Sequence, residues 1–297
     1  MMKNFHKTLA VIVIIATFTS GCRSTDEYKK FAESGIVFAE ATNSLLDTAG
    51  QIKIKATSEQ VLKSRRDRIQ VNGNKPADGI VNTYNELSEQ DKKRLSLINE
   101  LRKHNELLQA YFSKLIELAD SDSPVRTEKA VENITAQLEG SGSKLLNLSP
   151  IKIDKLPSVT EIVLDSRING SLRRELEKRK YTIYGEITRQ EKLLKFISKL
   201  VEEDVGTIQD LQEQRLVIEP LKSESIDNED AWINTRLTVL TQNAEIILAI
   251  DKASNNLNKF KELFLASIEG ELTSKQLNSF IQETNSLSAL ISEKNSH

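Results

Sequence analysis

From residue 26 onward, apolar side chains return at alternating steps of three and four for tens of residues at a time. That spacing lines one face of a helix. Phe31, Phe38, Leu45 and Ile52 form one row, seven residues apart. Gly35, Thr42, Ala49 and Ala56 form a second row, four residues behind the first. Interleaved rows of this kind make a continuous seam, and the small residues of the second let a neighbouring helix come close. The pattern predicts a helix from Asp26 to Ile69, roughly 65 Å long, with Gly50 as a place to bend. Its last turns carry Lys63, Arg65, Arg66 and Arg68. These complement the negative end of the helix dipole; an anionic-surface patch is the alternative use of the same charges.

The five prolines, Pro76, Pro124, Pro150, Pro157 and Pro220, fall between the periodic stretches and read as boundary marks. After a turn at 72–76, a second helix starts between Ile80 and Ser88, where Ser88 and Asp91 have the spacing of a cap. Leu87, Arg94, Leu101, Leu108 and Leu115 make one row; Asp91, Ile98, Asn105, Phe112 and Ala119 make the other. Leu107, Tyr111 and Leu118 broaden the stripe to the width a multi-helix bundle uses. Ser123 and Pro124 open a short helix reaching Leu138, ended or interrupted by Gly140 and Gly142. An irregular connection follows over Asn147–Pro157, then a short helix over Ser158–Ile168. A second very long helix is expected from Leu172 to Glu219, closed by Pro220. Its rows are Leu176, Ile183, Gln190, Ile197 and Leu211, with Ile187, Leu194, Val201 and Ile208, and Asp204 breaks the first. The acidic stretch Asp227–Asp230 opens a helix to Ile268, lined by Leu237, Leu240, Ala244, Ile247, Leu257, Phe260 and Phe264. A last helix covers Thr273–Ile291.

These elements predict an all-α fold: an elongated bundle of long antiparallel helices with coiled-coil-like packing. The order long, long, short, connection, long, long, short admits a subdivision of the 22–297 body into 22–148 and 158–297, although no residue-level repeat relates the two. The sparse aromatic residues, 5% of the 297, suit helices with polar outer faces better than a sheet sandwich.

The N-terminus follows a different pattern. Residues 1–8 contain Lys3, His6 and Lys7 and no acid, Leu9–Phe18 is an apolar run, and Thr19, Ser20 and Gly21 are small. A positive start, a short apolar run and a small-residue site are the parts of a secretory signal. The run is too short to span a membrane, which takes roughly 20 apolar residues. Thr19-Ser20-Gly21-Cys22 resembles the lipobox of bacterial lipoproteins, with threonine where leucine is usual. The resemblance implies removal of residues 1–21 and acylation of Cys22, the sole cysteine, which anchors the chain in a membrane. Arg23 follows, not the aspartate that retains lipoproteins in the inner membrane of enteric-type bacteria, so an outer-membrane place in the cell envelope is favoured. The body resembles helical envelope lipoproteins.

Removing the signal takes the formal net charge from −2 to −4, since Lys3 and Lys7 leave with it. With no basic excess, nucleic acid is not an expected partner. No cofactor, metal site or catalytic residue is expected. Without cysteine in the body beyond Cys22, neither a disulfide nor a zinc–thiolate site can form there. His104 stands among Arg102, Lys103 and Glu106 and reads as a solvent-edge residue. No serine lies in a Gly-x-Ser-x-Gly elbow; a serine–lysine pair assembled by folding would leave no sequence trace. Asp120 and Asp122 lack the glycine and closing glutamate of a calcium loop and read as caps. Arg173, Arg174, Lys178, Arg179 and Lys180, interleaved with Glu175 and Glu177, read as a solvated face with local ion pairs. Trp232, the only tryptophan, reads as a packing residue at a helix start, with an interfacial or partner contact as the alternative.

The expectation is a non-enzymatic envelope lipoprotein whose helical body binds an envelope protein or acts as a scaffold. A helical pore-forming or membrane-remodelling protein is the alternative, and a cell-wall-acting enzyme a weaker one. The densest apolar run of the body, Ile246–Ile250, is far short of a span.

Overall fold

The computed structural model describes residues 5–72, 79–120, 124–150, 162–166, 168, 170–223, 225–241 and 244–294. Every regular element among them is helical. Helix α1 is Phe5–Asn72, α2 is Ile80–Asp120, α3 is Pro124–Leu148 and α4 is Gly170–Gln212. A π-helical stretch, Glu213–Ile218, leads into the single turn α5, Glu219–Leu221. Then come α6, Glu229–Thr241; α7, Ala244–Glu269; and α8, Ser274–Lys294. The expected all-α bundle is what the chain forms.

Helix α1 is the axis on which the others assemble: α2, α4, α7 and α8 all pack against it. At 68 residues it is roughly 100 Å long. It starts at Phe5, well ahead of the Asp26 that periodicity marks, and Gly50 lies inside it without a break. Its two heptad rows are buried as expected, Phe31, Phe38, Leu45 and Ile52 beside Thr42, Ala49 and Ala56. Helix α2 returns antiparallel to α1. Helix α4 runs parallel to it, since Asn43, Lys53 and Glu59 on α1 match the level of Gln190, Asp204 and Gln212 on α4. The antiparallel order expected of helices joined by turns does not bear on this pair, since α1 and α4 are not consecutive. One apolar core runs through α1, α2, α3, α4, α7 and α8.

The tightest packing joins α1, α2, α7 and α8. Phe31 and Phe260 stack at 4.8 Å between centroids, and Phe112 meets both edge-on. Phe264, Phe38 and Phe280 close the cluster. Gly35 makes this approach feasible, because a Cβ there would lie 2.7 Å from the Phe260 ring. The small-residue row thus admits a partner helix, as its composition suggests.

Several boundaries differ from the pattern. Helix α3 continues through Gly140 and Gly142 to Leu148; at Gly142 the Glu186 and Arg189 side chains of α4 occupy the space of a Cβ. Ser88 is interior to α2 and caps nothing, and Asp91 instead accepts a 2.8 Å hydrogen bond from Thr57 of α1. The described part of the expected 158–168 helix is not helical; its Asp165 N–H bonds Ile268 O and its Ile162 N–H bonds the Tyr181 hydroxyl. Residues 151–161 and the Asp122 of the acidic turn lie outside the described residues. The long fourth helix ends one residue past Pro220, and a π turn precedes that proline, Glu219 N–H bonding Gln214 O. A ring at 220 collides with the carbonyl four residues earlier in a regular α-helix, and the widened turn relieves this. The helix expected from Asp227 to Ile268 is helical over Glu229–Thr241 (α6) and Ala244–Glu269 (α7), and residues 242–243 between them lie outside the described residues. Asn228 caps α6 through a 2.9 Å bond to Ala231 N–H. Gly270, at φ +78°, ends α7 with Glu271 and Leu272 N–H on Ala266 O. Thr273 and Gln276 then form a reciprocal capping box that starts α8.

Candidate functional site

Three features bear on function: the position of Cys22, a chain of buried polar contacts along α1, α2 and α4, and the surfaces around them. Cys22 lies within α1; its side chain is outside the described ones. Among the described residues, no helix is long and apolar enough to cross a membrane, and no cluster of three or more potential metal ligands occurs.

The polar contacts begin at the end of α1 remote from Cys22. Glu59 receives Arg215 in two bonds, 2.6 and 3.1 Å, and Gln212 in a third. Burial alone would raise the Glu59 pKa, but the hydrogen bonds from Arg215 and Gln212 outweigh it and the net shift is downward. Next along, Asp204 takes Lys53 at 3.7 Å and Arg94 at 3.4 Å. There burial wins, and the Asp204 carboxyl is raised despite both cations. The residue that interrupts a heptad row is thus a crosslink between three helices. Asn105 occupies another apolar position, donating to Ala39 O at 2.6 Å and Asn43 at 2.9 Å and accepting from Gln190 at 2.6 Å. Polar residues at single seam positions fix register at a cost in stability.

One level further, His104 is fully buried, with its Nε2 at 2.9 Å from Glu186 Oε2. It is not the solvent-edge residue its charged neighbours suggest. An ionised carboxylate only accepts, so Nε2 carries the proton. Arg189 pairs with the same Glu186 oxygen, and α3 approaches closely here at Gly142. Nearest to Cys22, the hydroxyls of Tyr28 and Tyr111 and Oε1 of Glu175 are buried without a protein hydrogen-bond partner. Burial, reinforced by Glu175, pushes the Tyr28 hydroxyl far above its usual range. Glu175 itself is raised by burial against its pairing with Arg179. The basic run at 173–180 is therefore only partly a solvated face. Arg174 and Lys178 reach Glu128 and Glu132 of α3 on the surface, whereas Arg179 and Glu175 are buried.

Two open grooves flank these contacts. One, about 450 Å³, lies between α3 and α4 over Glu128, Glu132, Arg174 and Lys178. The other, about 620 Å³, lies between α4 and α7, where Lys192, Lys195 and Lys199 face Asp251. Ser198 and Ser254 line the second groove, so folding does bring serines beside lysines. The Ser198 hydroxyl bonds Asp251, and Lys195 is held by Glu191 at 2.8 Å. Glu191 also receives Lys261 from α7. Burial would raise its pKa, but the bonds from Lys195 and Lys261 prevail and it is lowered.

Glu59 and Glu191 set the sign of an acid dependence. Each is depressed below the ordinary carboxylate value of 4.5 in the folded chain. The stabilisation they supply is full above that value and is lost as pH falls through the lowered folded one. Denaturation midpoints should therefore fall below pH 4.5, and the double substitution Glu59→Gln, Glu191→Gln should flatten that fall. An unchanged slope in the double variant would remove these two groups from the account.

The last surface is α6, which packs on the π-helical stretch and the end of α4. Val239 is buried and Trp232 Nε1–H donates to Val217 O at 3.1 Å, so the tryptophan does pack at a helix start. Leu237 and Leu240, expected to line the core, are instead 60% and 38% exposed, with Ile233 at 55%. Sequence reasoning missed this face, and it missed the Glu186, Arg189 and Glu59 partners as well. Their signals were charged residues inside otherwise apolar-periodic helices. No protein-family model matches the chain, and neither a curated protein nor a solved structure matches it.

Proposed function

We propose that this is a non-enzymatic envelope lipoprotein, anchored through acyl chains on Cys22, whose helical body is a protein-binding or scaffold module. The observation that carries the reading is α1. The helix that contains Cys22 continues unbroken to Asn72, roughly 75 Å further along, and four other helices pack on it. Cleavage before Cys22 would join the lipid directly to the central helix of the bundle, with no linker between. A stiff body fixed at one end holds its far end at a set height above a membrane, which suits a scaffold. The absence of an aspartate after Cys22 favours the outer membrane.

Cys22→Ala should move the protein from the membrane fraction to the soluble fraction and abolish incorporation of labelled palmitate. Crosslinking in intact cells beside that variant would then identify envelope proteins that depend on the anchor. If the variant fractionates and labels like the native chain, the anchor is elsewhere and the reading fails.

A further inference from the structure

Helix α6 has apolar residues on two sides, roughly 100° apart around its axis. Trp232 and Val239 face the π-helical stretch and α4, whereas Ile233, Leu237 and Leu240 stand exposed along another stripe. A helix apolar on two sides is ordinarily covered on both, and within the described chain only one is. The charges beside the exposed stripe say what covers the other. Glu229 and Arg236 are seven residues apart, which puts them within about 20° of each other around the helix, on the same flank of the stripe. Both are exposed, and neither has an ion-pair partner among the described residues.

We infer that this face binds a second copy of the chain, α6 against α6, about a twofold axis. In an antiparallel pair of identical helices the same flank of each faces the other. An acid and a base one heptad apart on that flank therefore meet twice, Glu229 with Arg236 of the second copy and the reverse. A twofold interface has to be self-complementary in this way. With those pairs formed the axis passes beside Ile233, which meets its own counterpart. Leu237 then lies across the second copy's Asn228, and Leu240 reaches the level of its Ser225 and Ile226. A parallel pair would turn this flank of each helix away from the same flank of the other and leave both charges without these partners, and a partner of one sign would leave one charge opposed. The inference rests on the reading of the body as a binding or scaffold module, and not on the lipid at Cys22.

The full chain carrying Ile233→Cys should form disulfide-linked dimers in intact envelopes, whereas Val163→Cys, also exposed but placed before α4, should not. For the detergent-purified full chain, light scattering and sedimentation should give a dimer, with Cys22→Ala dimerising equally. Ile233→Asp should raise the dissociation constant roughly tenfold or more, because a twofold interface counts each substitution twice. Glu229→Arg and Arg236→Glu should each weaken the dimer and, combined in one chain, restore it. Rescue by that swap separates direct pairing from a general loss of surface charge. A monomer that still depends on Cys22 for membrane fractionation would overturn this inference and leave the proposed anchoring intact. Crosslinks from position 233 to a different protein, with none to a second copy, would overturn it too.

Discussion

Phe260→Ala is expected to lower the unfolding free energy by about 3–5 kcal/mol, the range for deleting a buried aromatic side chain. The upper part of that range applies for two reasons. The ring contacts four others, Phe31, Phe38, Phe112 and Phe280, and favourable ring pairs add to plain burial. The wall opposite the ring is also the backbone at Gly35, which has no side chain to move into the space. A cavity that cannot collapse keeps its full cost. The substitution removes one of the contacts that hold α7 on α1, while Phe264 and the direct packing of α8 on α1 remain. Chemical denaturation followed by far-UV circular dichroism measures the loss. A change under about 1 kcal/mol would mean that the cluster adds little beyond filling space.

The second large effect is expected at Glu186. Removing one partner of a buried charge network costs about 3–5 kcal/mol, most of it from the charge left behind. In Glu186→Ala, Arg189 keeps its charge with no carboxylate to meet it, and His104 loses the partner of Nε2 while its Nδ1 is already without one. Glu186→Gln should recover part of the loss, because its amide oxygen can still accept from His104. The test is the ordering of three denaturation midpoints: native highest, glutamine between, alanine lowest. Glutamine as damaging as alanine would assign the cost to the Arg189 charge alone.

The seams were legible in the sequence and their polar crossings were not, for the same physical reason. Apolar periodicity is a local property: Phe31, Phe38, Leu45 and Ile52 announce a buried face without reference to any other part of the chain. The partners of His104 and Lys53 lie far away in sequence, at Glu186 and Asp204. A charged residue in a heptad row therefore looks the same whether it faces water or a counter-ion. Leu237 and Leu240 belong to an apolar-periodic stretch and looked like core, yet both stand exposed. Glycine misled in the other direction. Gly140 and Gly142 read as a helix end, yet α3 continues past them, and at Gly142 the missing side chain accommodates Glu186 and Arg189. The proposed role of Cys22 rests on a sequence pattern that is local and short.

The parallel course of α1 and α4 has a kinetic consequence. The bonds that fix their register join residues 153 and 156 positions apart, and the contacts of the Phe260 ring with Phe31 and Phe38 reach across more of the chain still. Contacts this remote form late and slow folding, because the intervening chain must be ordered first. The N-terminal hairpin of α1 and α2 can form early from its own contacts. Its remaining apolar face stays uncovered until α4 and α7 have been synthesised, and that interval is when such a chain is most open to aggregation or to a chaperone.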